Sequence, residues 1–178
     1  MLSFSKIPNP LSIFSKNKIS VKMEPMPIDK NYLEAGTDIS WEDAIPFTFP
    51  ITGGRVIKVY DGDTITIASK LPYDASPLYR LSVRLNGLDC PEMKSGSKEE
   101  HDAAVLARDF VADLILNKYV TLDNIRSEKY GRILADVYID EMCVNDMLIK
   151  ERLAVKYDGK TKIKPRSWLK YRLTGTTF

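Results

Sequence analysis

The chain reads as an α+β domain, a small, partly open five-stranded β-barrel capped by helices. Three observations predict this: five short β-branched or alternating runs, two segments of helical periodicity, and turn-forming residues between them. The 178 residues, 44% apolar and 28% charged, suit one folded domain with extensions and exclude a chain that is disordered throughout. The longest apolar runs span only a few residues, far short of the roughly 18–20 that a membrane-spanning helix needs, so no transmembrane segment is expected. One histidine, His101, and two cysteines, Cys90 and Cys143, cannot furnish the four ligands of a structural zinc site or a disulfide framework. Any metal must therefore be held mainly by oxygen.

The first strand is predicted over residues 55–60 and the second over 64–67. Both are β-branched, and Asp61-Gly62-Asp63 between them has the composition of a turn, which makes the pair a hairpin. Residues 78–85 alternate apolar with polar and give a third strand, reached through a loop that holds Pro72, Asp74 and Pro77. Ser97 and Glu100 form a capping-box signature, and Ala103, Ala104, Ala107, Phe110, Val111, Leu114 and Ile115 recur at helical spacing, predicting a helix that ends near Asn117. Two more strands are expected over 119–125 and 133–139. A short second helix then turns Val144, Met147, Leu148 and Leu153 inward. Five short strands with helices at the ends match the OB-fold.

Composition divides the chain into an arm over residues 1–50, a domain over 51–160 and a basic tail over 161–178. The arm holds six of the ten prolines and one of the nine glycines without a sustained period, and is expected to be mobile or loosely attached. Its aromatic-rich end, residues 41–49, is expected to dock on the domain. Residues 1–23 carry four lysines, five serines and no acid, a faint likeness to an organelle transit peptide without its arginines, and lack the apolar core of a secretory signal. That lack and two cysteines without an evident partner favour an intracellular setting and leave the compartment open. From Lys156 to Phe178 seven basic residues face one acid, a net +6 within a chain whose total is +2. A basic end on an acidic body draws a polyanion to one side, although a solvated tail has the same composition.

The acids cluster on two turns, Asp61 and Asp63 in the hairpin, and Asp89 and Glu92 in the segment after the third strand. Neighbouring strands can bring these clusters together, and hard divalent cations prefer such oxygen ligands. Asp-Gly-Asp alone is equally an ordinary turn. Arg84, just before Asp89, and Arg132, at the start of the fifth strand, carry planar forks that match phosphate oxygens, or else serve as salt-bridge partners.

Four ordered segments, Val59-Tyr-Asp-Gly-Asp-Thr64, Val83-Arg-Leu-Asn-Gly-Leu-Asp-Cys-Pro-Glu92, Glu128-Lys-Tyr-Gly-Arg132-Ile-Leu-Ala and Val144-Asn-Asp-Met-Leu-Ile-Lys-Glu-Arg-Leu-Ala154, together resemble the staphylococcal nuclease-like, or thermonuclease, family. The likeness runs from about residue 55 to 157. It implies a Ca2+-dependent phosphodiesterase, an endonuclease acting on DNA and RNA and favouring single-stranded or frayed regions. By position in those motifs, Asp63 and Asp89 resemble the metal carboxylates, and Cys90 the residue whose backbone carbonyl is a ligand, with a thiol where many relatives have threonine. Asp61 matches the outer acid that orients metal-bound water. Glu92 matches the proposed general base, with positioning of the water an equal role and a surface salt bridge to Lys94 or Lys98 the competing one. Arg84 and Arg132 match the pair that grips the phosphate. Lys129 and Tyr130 resemble contacts to a terminal phosphate, and Tyr157 the base-stacking tyrosine, or a tyrosine closing the barrel.

Departures from the family pattern are expected to alter access to the site. The loop over 68–77 is longer, the stretch over 93–96 is shorter, and Arg152 replaces a helix-ending glycine, so the second helix is expected to run further. His101 is expected on the exposed side of the first helix. A monomer is expected, with DNA or RNA as partner. The alternative use of the same chain is a non-catalytic nucleic-acid-binding or scaffolding module.

Overall fold

A computed structural model describes residues 40–162 and 164–177; most of the predicted arm, including its transit-peptide-like residues, lies outside the described residues. Two compact units divide at residues 44 and 45. In the first, Trp41–Asp43 form a single 3-10 turn, whose Asp43 carboxylate accepts hydrogen bonds of 2.8 Å from both the Ser40 amide and the Ser40 hydroxyl.

In the second unit the chain forms β1 (Gly53–Val59), β2 (Thr64–Ser69), β3 (Tyr79–Leu85), the two-residue β4 (Leu88–Asp89), α1 (Lys98–Ile115), β5 (Tyr119–Ser127) and β6 (Ile133–Ile139). There follow β7 (Met142–Cys143), α2 (Val144–Lys150), β8 (Val155–Lys156) and α3 (Trp168–Thr174). The main sheet runs in the order β3-β2-β1-β5-β6-β7, and a parallel pairing of β3 with β6 closes five of these strands into a barrel. Period-2 alternation is the cause: Ile133, Ala135, Val137 and Ile139 of β6 point inward and are buried, as are Val83 and Leu85 of β3. Each fully buried aliphatic side chain contributes roughly 1.5–3 kcal/mol, so the register that faces all of them inward is fixed. A bulge in β1 between Val56 and Lys58 adds the local bend that closure requires.

Helix α1 covers the barrel with Ala104, Ala107, Val111 and Ile115, and its small residues allow a close approach. Ser97 caps it by accepting the Glu100 amide at 3.4 Å, but the return half of the capping box does not form. The Glu100 carboxylate instead accepts the Ser95 hydroxyl at 2.5 Å and the Glu92 amide at 3.3 Å, and pairs with Lys164 at 2.5 Å. A helix-capping signature has been redirected to hold the loop that follows Glu92. The Asn145 side chain bolts α2 to the barrel, accepting the Val137 amide at 2.9 Å and donating to the Asn86 carbonyl at 2.8 Å.

The second helix does not run further, as expected, but stops at Lys150. Arg152 takes the left-handed conformation itself, with φ 56°. What holds it there is α3, an element that the sequence does not predict: the Arg152 guanidinium donates to the carbonyls of Arg172 and Leu173 at 3.2 and 3.0 Å, the open end of that helix. At the other end of α3, Glu99 of α1 accepts the Ser167 hydroxyl at 2.7 Å and the Leu169 amide at 3.0 Å, and Trp168 is buried. Residues 161–178, expected as a basic tail, thus include an anchored helix. Further upstream, Ser127 donates to the Phe47 carbonyl at 3.1 Å and Phe49 packs against the core, so part of the aromatic stretch does dock. Among the described residues no helix is long and apolar enough to cross a membrane.

Candidate active site in the barrel groove

The hairpin between β1 and β2 aims its acids with few residues. The Tyr60 and Asp61 amides both donate to the Thr64 carbonyl, at 2.9 and 3.4 Å, and the Asp63 amide donates to the Asp61 carboxylate at 3.2 Å. Gly62 lets this turn lie on the core: a Cβ there would come within 2.7 Å of Cys90 Sγ and 2.8 Å of Ala107 Cβ. Gly62→Ala is therefore expected to lower stability by about 1–3 kcal/mol through overpacking, measured as a drop in the thermal midpoint. An unchanged midpoint would remove close approach as the reason for glycine.

Arg84 stands opposite Thr64 in the β2–β3 ladder, and the next amide along β3, that of Leu85, donates to the Asp63 carbonyl at 2.8 Å, so Arg84 and Asp63 lie on adjacent backbone. Its two terminal nitrogens donate to different acids, Nη1 to Asp63 at 2.8 Å and Nη2 to Asp89 at 2.9 Å. One guanidinium thus gathers the carboxylates of two separate turns. Both acids are nearly buried, at 4% and 6% exposed. Burial pushes the Asp63 carboxyl up, to about 7, with the charge of Asp61 acting the same way and that of Arg84 against it. Asp63 also accepts the Thr64 hydroxyl at 3.0 Å and the Cys90 amide at 3.2 Å.

Around this pair opens a groove of about 420 Å³. The sequence-expected residues Asp63, Arg84, Cys90, Glu92, Lys129, Tyr130, Arg132 and Tyr157 all line it, and Asp89 lies behind, joined through Arg84. Cys90 belongs to the buried core, with its sulfur against the Gly62 turn, and burial raises the thiol well above its usual range. Glu92 is exposed and pairs with neither Lys94 nor Lys98: Lys98 pairs with Asp102 at 2.7 Å, and Glu92 with Lys162 at 3.1 Å. Arg132 forms a two-pronged pair with Glu128, at 2.6 and 2.7 Å, which raises the guanidinium further and lowers the carboxyl. Neither arginine is bare; each is held on acids. The exposed Tyr130 ring carries Lys129 Nζ at 4.8 Å and the Arg132 guanidinium at 5.9 Å from its centre.

Tyr157 is half-buried at the rim. The β4–β8 ladder pairs Asp89 with Val155, and the Tyr157 amide continues it by donating to the Gly87 carbonyl at 3.0 Å. The ring therefore belongs to the same edge as Asp89 and does not close the barrel core. His101 is exposed, its Nδ1 2.9 Å from the Met93 carbonyl and away from the groove lining. Two charged groove residues escape sequence reasoning, Glu128 and Lys162. Glu128 sits four residues before Arg132, a spacing that signals an ion pair in a helix but here spans a turn closed at Gly131. Lys162 carries no local signal beyond the basic run.

The family model described as staphylococcal nuclease homologue matches residues 82–171, half of the chain. The chain belongs to this family. As a staphylococcal nuclease homologue it is 34% identical over 106 residues to an uncharacterized endonuclease of Escherichia coli, covering 59% of this chain and 61% of that one. It is 33% identical over 102 residues to the thermonuclease of Staphylococcus hyicus, 56% of each chain, and 27% identical over 154 residues to a probable endonuclease of Schizosaccharomyces pombe, 74% of this chain and 64% of that one. The chain thus spans about three fifths of the length of the first of these relatives.

The fit of this homologue to a metal turns on its donor set. Among the described residues no group of three or more His, Cys, Asp or Glu forms a protein cage. Instead two nearly buried carboxylates, Asp63 in the groove wall and Asp89 behind it, converge on one fork, and the Cys90 thiol is packed in the core. Such a set, all oxygen and incomplete, fits a hard cation that keeps water or substrate in its shell rather than a closed site for a soft one.

Proposed function

We propose that this protein is a Ca2+-dependent endonuclease that hydrolyses phosphodiester bonds of DNA and RNA, preferring single-stranded or frayed segments. The observation that carries the reading is the pair Asp63 and Asp89 held on the Arg84 fork, 2.8 and 2.9 Å away, at the edge of a groove shared with Glu92 and Arg132. Relatives named as endonucleases and a thermonuclease support the same reaction class.

Asp63 and Asp89, with the Cys90 carbonyl, would hold calcium, which when bound would supply positive charge to the phosphate and polarise water there. Arg84 and Arg132 then act on the phosphate oxygens. A phosphodiester carries one negative charge and gains more as a nucleophile adds, so two fixed cations stabilise the transition state more than the ground state. Their carboxylate partners orient the guanidinium planes before substrate arrives and retain N–H groups free to donate. Glu92, exposed at the groove edge, accepts a proton from the attacking water or fixes its direction. Tyr130 and Tyr157 offer ring faces to bases that have left a stack, an interaction indifferent to base identity.

Cleavage of single-stranded DNA and of plasmid by the full chain tests this. Added calcium should support cutting, and excess chelator should reduce it to background. Undiminished cutting in chelator would exclude the metal mechanism, whereas salt-sensitive binding without cleavage under all conditions would establish the alternative of a binding module.

A further inference from the structure

Lys162 enters the groove from the segment after β8, a stretch that the reading above leaves without a role. Its ammonium lies 2.9 Å from Asp89 Oδ1 and 3.1 Å from Glu92 Oε1. Asp89 Oδ1 is the same oxygen that accepts Arg84 Nη2, so one carboxylate oxygen serves two cations. Nearby, Lys164 pairs with Glu100, whose carboxylate also accepts the Glu92 amide, so that adjoining lysines of one segment reach both Glu92 and its support.

These two cations differ in how easily they leave. Arg84 has a side chain 14% exposed and holds Asp63 as well as Asp89; the Lys162 side chain is 48% exposed, on a flexible stem, and its pairs are those of a hydrated ammonium. A divalent cation drawn to Asp63 and Asp89 would meet the ammonium at the same carboxylate, and like charges at contact distance repel. Whatever stabilises Lys162 on Asp89 must be given up when the ion binds.

We propose that Lys162 is a built-in competitor for the divalent cation: it neutralises Asp89 and Glu92 in the metal-free protein and is displaced when calcium binds, so that loading the metal also releases Glu92. This rests on the calcium reading above and adds to it a residue that sets the affinity of the ion and links its arrival to the freeing of Glu92.

Calorimetric titration of calcium into the full chain, without nucleic acid, tests the proposal on wild type, Lys162→Gln and Lys162→Arg, with Asp63→Asn as the control. Lys162→Gln should bind calcium about three- to tenfold more tightly, the factor expected from losing two ion pairs made by one half-exposed ammonium, and Lys162→Arg should stay near wild type. Equal or weaker binding by Lys162→Gln, in chains that do bind calcium and lose it with Asp63→Asn, would overturn the competition alone. Calcium binding absent from every chain, or untouched by Asp63→Asn, would overturn the competition and the calcium site together.

Discussion

Replacing Arg84 by glutamine should lower stability by about 3 kcal/mol and reduce cleavage by on the order of 10²–10³. The stability loss arises because one guanidinium neutralises two nearly buried acids. Without it, among the described residues, Lys162 on Asp89 is the one cation left in a direct ion pair with either acid, while the charge of Asp61 adds to theirs. In a unit of this size about 3 kcal/mol is roughly 10 °C in the thermal midpoint. The deficit should also depend on pH when measured in chelator. Asp63 already holds its proton up to about 7 in the folded chain, and removing Arg84, whose charge pulls it down, moves it higher still. The folded variant then binds more protons than the folded wild type around and above that pH, so its stability falls more steeply as pH rises through 7. Below about 7 Asp63 is protonated in both folded chains, so the share of the deficit that comes from its charge is lost there. Arg84→Lys should recover part of the stability, since charge returns, and little of the activity, since a point charge cannot span two acids and a phosphate. A deficit independent of pH would mean that Arg84 acts by packing and not by charge.

The barrel was legible because its rules are local. Strand β6 alternates buried and half-buried positions along its whole length, so residues 133–139 identify the strand and its inner face at once. The same period brings Asp63 and Arg84 near one another, since Arg84 pairs across from Thr64, the residue after the turn that holds Asp63, but it does not dictate that their side chains meet; the turn geometry that aims Asp63 decides that. Elements held by tertiary contacts were not legible. Helix α3 has only seven residues and owes its ends to Glu99 and Arg152, far away in sequence, and Arg152 in turn takes the strained conformation that stops α2. Glu100 has the spacing of a capping box, but the nearby Ser95 hydroxyl, the Glu92 amide and Lys164 compete for its carboxylate and win. Lys162 reaches Glu92 across 70 residues of sequence, and no periodicity can announce such a contact. The orientation of Cys90 is likewise a packing outcome, decided by the absent side chain at Gly62.

Glu92→Gln, by contrast with Arg84, should be nearly silent in stability and severe in rate. The Glu92 side chain is 57% exposed and its one ion pair, to Lys162, is half in water, so neutralising it should change stability by no more than about 0.5 kcal/mol. The fold of the groove is not at stake, because what Glu100 holds is the Glu92 amide, which the substitution keeps. The phosphate grip is also kept, since Arg84 and Arg132 are oriented by Asp63, Asp89 and Glu128 and not by Glu92. KM should therefore move little while kcat falls by on the order of 10²–10⁴, the range for loss of a positioned proton acceptor. The two roles open to Glu92 separate on the size of that loss. A proton acceptor has no substitute in Glu92→Gln, because an amide cannot take up the proton, and the fall in kcat should then lie at the upper end of the range. A group that only directs the water is partly replaced by Gln, which still accepts a hydrogen bond, and the variant should then retain a sizeable fraction of the rate. Wild-type kcat in the glutamine variant would remove Glu92 from the reaction altogether and leave the arginines and the carboxylate pair to account for it.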